Sequence, residues 1–64
     1  MREAELWARL VEVLGAGYAR AWADLVVMQP LGGRTVNQAI EAGLPCKEIW
    51  RAAWVQLELP EKYR

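Results

Sequence analysis

Histidine, serine and phenylalanine are absent from this sequence, and cysteine and threonine occur once each, as Cys46 and Thr35. A lone cysteine excludes an intrachain disulfide. Without histidine, a zinc site of the usual Cys and His type has too few ligands, so neither a metal nor a cofactor is expected. Nucleophilic catalysis needs a hydroxyl or thiol beside a base, and the single threonine stands where a helix cap is required. The eight carboxylates fall mostly on faces that read as solvated, which gives no paired acid and base. The chain is therefore read as not an enzyme, with no small-molecule substrate expected.

Charge of one sign is lacking too. Eight acidic and eight basic residues are interspersed and sum to a formal charge of zero, so no global field draws the chain to nucleic acid or to an anionic membrane. Any such binding must be local. No apolar run approaches the ~18 residues of a membrane-spanning helix, and the stretch Met1–Glu5 meets charge at once, with no apolar leader core. The expectation is a soluble chain in the reducing cytoplasm, with no membrane partner.

What the sequence has in quantity is apolar surface: 55% of 64 residues, including Trp7, Trp22, Trp50 and Trp54. A chain of this length holds one domain, residues 1–64, and a domain of roughly 60 residues buries only about 60% of the surface that its unfolded form exposes. With no disulfide or metal to help, stability has to come from dense helix packing or self-association. Each indole can bury on the order of 150–250 Å², which makes a compact core plausible.

The spacing of apolar residues is helical. Leu6, Trp7, Leu10, Val11 and Leu14 form an amphipathic stripe over Glu3–Leu14, with Glu3 and Glu5 favourable in the first turn. Gly15 reads as a left-handed C-cap, and a second helix is predicted from near Tyr18 to about Met28. The run Thr35-Val36-Asn37-Gln38 has the form of a capping box and opens a short third helix, which Gly43 and Pro45 end. A fourth helix is predicted from about Cys46 to Leu57, and Pro60 stops it; the tail Glu61–Arg64 carries no signal and is expected to fray. The expected architecture is all-α, a compact single-domain bundle of four helices. Its expected core is Trp7, Leu10, Leu14, Trp22, Leu25, Ile49, Trp50 and Ala53.

Few constellations carry chemistry. Gly15-Ala16-Gly17 lacks the preceding strand and third glycine of a dinucleotide loop and reads as a hinge. Gly32-Gly33-Arg34-Thr35 could hold a phosphate at a helix start, but a turn followed by a cap is the simpler reading. From Thr35 to Trp54, residues Ala39, Gly43, Ile49 and Ala52 keep the spacing of a helix-turn-helix, which would present Pro45, Cys46, Lys47, Trp50 and Arg51 to a groove. That face has two cations and no asparagine or glutamine to read adenine. Trp50 and Trp54 at helical spacing read first as core, and an indole left partly exposed would be a partner anchor. Cys46, beside Lys47 at a helix start, reads as a small apolar filler rather than a reactive thiol.

Taken together, Met1-Arg2, Trp7, Gly17-Tyr18-Ala19, Leu31-Gly32-Gly33-Arg34-Thr35-Val36, Ala39, Ala42-Gly43 and Trp50-Arg51-Ala52 resemble a short actinobacterial family known as domain of unknown function 3046. The resemblance covers nearly the whole chain, and its most specific part is the Leu-Gly-Gly-Arg-Thr-Val run with the later Trp-Arg-Ala. It implies a cytoplasmic helical protein often encoded near a recombinase and its regulator, and it assigns no site residue. The chain departs from the family's pattern at Leu25-Val26 and at Pro45-Cys46. Two functions are therefore expected in order. The first is a protein–protein interaction module, self-association included, with an apolar patch around Trp54 rimmed by Arg34 and Arg51. The second is a helix-turn-helix-like nucleic-acid binder, linked to recombination or repair, using Arg34, Lys47 and Arg51.

Overall fold

A computed structural model describes residues 1–64 and contains four α-helices and no strand: α1 (Glu3–Leu14), α2 (Ala16–Leu25), α3 (Val36–Glu41) and α4 (Cys46–Gln56). Two single 3₁₀ turns, Gln29–Leu31 and Glu61–Tyr63, complete the regular structure. The all-α bundle expected from the sequence is what forms. Its core is one cluster of thirteen buried apolar residues, centred on Leu6, Leu10, Met28, Val36 and Ile49.

The hinge between α1 and α2 is shorter than the spacing suggested, because a single residue makes it. Gly15 donates to Val11 O as the last turn of α1 and accepts from Ala19 N as the first turn of α2. Its φ of 87° is positive as expected, but its ψ of 150° takes it out of the left-handed helical well, so it is not the left-handed cap that was expected. Gly17 lies inside α2, which therefore begins two residues before Tyr18. The helix also ends early, at Leu25 rather than Met28. Val26 to Met28 are extended, and Met28 pairs with Arg34 in an isolated antiparallel bridge whose Met28 N to Arg34 O distance is 3.0 Å.

That early end moves the core. Met28, at 0% exposure, turns inward from the loop, whereas Leu25, expected in the core, is 77% exposed. Trp7 and Leu14 are partly buried at the edge of the cluster instead of inside it. Leu10, Trp22, Ile49, Trp50 and Ala53 are buried as expected. The small residues Ala19, Ala23, Ala39, Ala52 and Ala53 are all buried, which lets neighbouring backbones approach closely enough for so short a chain to close its core.

Both later helices end the same way. After α3, Gly43 N donates to Ile40 O and Leu44 N donates to Ala39 O; after α4, Glu58 N donates to Val55 O and Leu59 N donates to Trp54 O. These are the paired bonds of a Schellman motif, each with a leucine after the positive-φ residue and a proline after the leucine. Ala42–Pro45 and Leu57–Pro60 are thus the same device, with Gly43 at φ 82° in one and Glu58 at φ 52° in the other. The capping box at α3 is complete, with Gln38 N donating to the Thr35 hydroxyl at 3.2 Å and Thr35 N donating to Gln38 Oε1 at 3.0 Å. Asn37 also donates to Asp24 and ties α3 to α2.

Candidate functional site

One concave feature lies between the first half of α1, one face of α4 and the C-terminal tail, with a volume of about 340 Å³. Helix α4 supplies Lys47, Trp50, Arg51 and Trp54, at the i, i+3, i+4 and i+7 positions of one stripe. Helix α1 supplies Glu5 and Arg9, four apart, and the tail supplies Arg64. The local reason for this geometry is the Schellman end of α4. It reverses the chain at Glu58 so that Pro60 to Arg64 return along the helix they have just left.

The tail is therefore docked rather than frayed, a correction to the sequence expectation. Trp50 Nε1 donates to Tyr63 O at 2.9 Å, and Trp54 Nε1 donates to Pro60 O at 3.0 Å. A buried indole N–H without a partner costs roughly 1–3 kcal/mol, so Tyr63 O answers a need that burial of Trp50 creates, while the half-buried Trp54 is tied to the tail by the second, exposed bond. Cations then close over the aromatic rings. Arg9 lies 5.6 Å from the Trp50 centroid, Arg64 6.0 Å from Trp54 and Lys62 5.1 Å from Tyr63.

Electrostatically, this face differs from the rest of the molecule. An adjoining hollow shares Arg9, Trp50 and Arg64 with the cleft and adds Glu12, Lys62 and Tyr63. Together the two hollows gather five cations, Arg9, Lys47, Arg51, Lys62 and Arg64, against two carboxylates, Glu5 and Glu12, a net of +3. The remaining three cations and six carboxylates of the neutral chain carry −3. Arg9 is held by Glu5 at 3.1 Å and Arg64 by Glu61 at 3.3 Å. Lys47 and Arg51 are exposed and engage in no ion pair or side-chain hydrogen bond within the chain.

Of the four residues singled out in the sequence, Lys47, Arg51 and Trp54 come together and Arg34 does not. The Arg34 guanidinium donates to Leu31 O at 3.0 Å and serves its own loop. The backbone N–H groups of Gly32 and Gly33 are likewise occupied, by Gln29 O and Met28 O, so this segment is a turn and offers no anion cradle. Trp54 is half-buried with its N–H engaged, and the apolar ground beside Arg51 is elsewhere: a shallow groove lined by Pro30, Glu48, Ala52 and Val55. Arg51 lines both the groove and the cleft and forms the ridge between them. Cys46 is half-buried and packs against the edge of the core, as a filler would.

Arg9 and Arg64 were not found by sequence reasoning. Arg9 carried a signal, since it sits four residues after Glu5 on the helix; Arg64 carried none, because its position depends on the returning tail. No group of three or more His, Cys, Asp or Glu side chains is arranged to hold a metal ion, and no helix is long and apolar enough to cross a membrane. Neither a curated protein nor a solved structure matches the chain. The model of one family does match, over residues 1–62 of 64, and the chain accordingly belongs to the DUF3046 family, described as a protein of unknown function.

Proposed function

We propose that this chain is a binding module, not a catalyst, and that it docks another polypeptide on the face formed by α1, α4 and the tail. One observation carries the reading: a chain of zero net charge gathers cations from both of its ends around a pair of tryptophans, and leaves Lys47 and Arg51 without a partner of their own. Unpaired cations at the rim of a concave, partly aromatic surface are the composition of an interface, where aromatic residues and arginine are enriched. The absence of histidine and serine supports the non-catalytic side of the reading.

A second reading has an observation of its own. Lys47 and Arg51 lie one turn apart on α4, after the six-residue α3 and a tight turn at Gly43, which is the order of elements in a helix-turn-helix. Against it, only Lys47 and Arg51 are free of partners, and Glu5 and Glu48 flank them in the cleft and the groove, so a continuous phosphate backbone finds two isolated cations and no track to follow.

A fluorescence-anisotropy titration with a labelled DNA duplex at two salt concentrations separates the readings. Nonspecific dissociation constants are typically about 10⁻⁴ to 10⁻⁶ M and weaken steeply with salt. The expected result is no binding at tens of micromolar near physiological salt. Saturable binding that falls with salt and is lost in Lys47→Glu/Arg51→Glu would replace the protein-docking reading with the nucleic-acid one.

A further inference from the structure

We infer that the partner on this face is an acidic polypeptide segment carrying an apolar anchor, its carboxylates on Lys47 and Arg51 and its anchor in the groove of Pro30, Ala52 and Val55. This rests on the docking reading above and specifies the chemistry of the partner. The first ground is charge complementarity. The two hollows carry a net +3 and the groove adds Glu48, so the whole docking face carries +2 in a neutral molecule, and its two unengaged cations sit on α4 as fixed points rather than as a continuous track. Fixed points suit discrete carboxylates.

The second ground is that Arg51 stands between two different surfaces. On one side is the cationic cleft with the half-buried Trp54; on the other is the groove, where Val55 is 55% exposed and Pro30 is exposed beside the buried Ala52, with the exposed Glu48 the one carboxylate in its lining. A segment that crosses Arg51 therefore meets a cation and an apolar wall within one helical turn, which favours a ligand with acid and hydrocarbon side by side. The third ground is that both indole N–H groups near the cleft already have carbonyl partners in the tail. Ring surface and cationic heads are what remain for a ligand, so neutral hydrogen-bond acceptors are poorly served.

The test uses the full chain and fluorescein-labelled peptides followed by anisotropy. The reference peptide has one leucine flanked on both sides by glutamates; a second replaces glutamate by glutamine, and a third replaces the leucine by glycine. The reference peptide should bind, and both replacements should weaken it. Lys47→Glu/Arg51→Glu should weaken it by about tenfold or more, since opposed charges at a desolvating rim become like charges. Val55→Ser should weaken it too, whereas Arg20→Glu on α2 should leave it unchanged. An unaltered far-ultraviolet circular-dichroism spectrum would show that each variant keeps its fold.

Equal binding of the glutamine peptide would overturn the inference and leave polypeptide docking standing. Complete displacement of the reference peptide by inorganic pyrophosphate would overturn it in favour of a small-anion site. Binding of a DNA duplex but of no peptide, with the same sensitivity to charge reversal, would overturn both the inference and the docking reading, as would the failure of every probe to bind.

Discussion

Glu58 holds φ at 52°, in the left-handed region, at the position that Gly43 occupies at the end of α3. A side chain there costs on the order of 1–2 kcal/mol relative to right-handed backbone, and glycine escapes most of it. Glu58→Gly is therefore expected to stabilise the fold by about 1 kcal/mol, read as a rise in the urea midpoint with an unchanged slope. Leu10 and Leu25 make the opposite lesson: the sequence puts both in the core, and the fold buries one at 0% while leaving the other 77% exposed. Leu10→Ala should cost about 2–5 kcal/mol, a large share of what a domain of this size has, whereas Leu25→Ala should fall within about 0.5 kcal/mol of the parent. Equal midpoints for the two variants would contradict the burial described here.

Among the elements, the α1–α2 junction is the most constrained. One residue joins two helices, and its backbone, at φ 87° and ψ 150°, is in a region that residues other than glycine scarcely enter. The space where a side chain would stand is open, so the whole penalty of a substitution is conformational. Gly15→Ala is expected to lose about 1–3 kcal/mol, seen as a lower thermal midpoint, without a cavity or clash to account for it. The tail works on α4 by another route. Its carbonyls satisfy Trp50 and Trp54, and its return brings Arg64 to the cleft, so the same five residues complete the helix and furnish the candidate site.

For the molecule as a whole, the core closes within one chain. All thirteen buried apolar residues belong to a single cluster, and no buried side-chain nitrogen or oxygen lacks a hydrogen-bond partner. The thermal midpoint is accordingly expected to be independent of protein concentration, because folding that needs a second copy would raise it by mass action. Calorimetry or circular dichroism over a wide concentration range checks this. A midpoint that climbs with concentration would show instead that the chain self-associates.

Periodicity and local chemistry let the sequence determine by itself that this chain is helical, where α1 and α4 run, and that Thr35 caps α3, because each of these depends on residues within a turn or two of one another. The same locality let Lys47 and Arg51 be read on one face of α4 and set Arg51 at the rim of a patch around Trp54. The twin signal Ala42–Pro45 and Leu57–Pro60 was also in the sequence, but with glutamate in place of glycine it did not look like a helix end that reverses the chain. Only the tertiary structure decided what crosses long separations. It turned Met28 inward and Leu25 outward, carried the tail back over Trp50 and Trp54, removed Arg34 from the candidate site and brought Arg9 and Arg64 into it. The physical reason is that interspersed charges cancel along a chain but need not cancel in space: which of them share a face is set by how helices pack to bury their rings, and no spacing in the sequence encodes that.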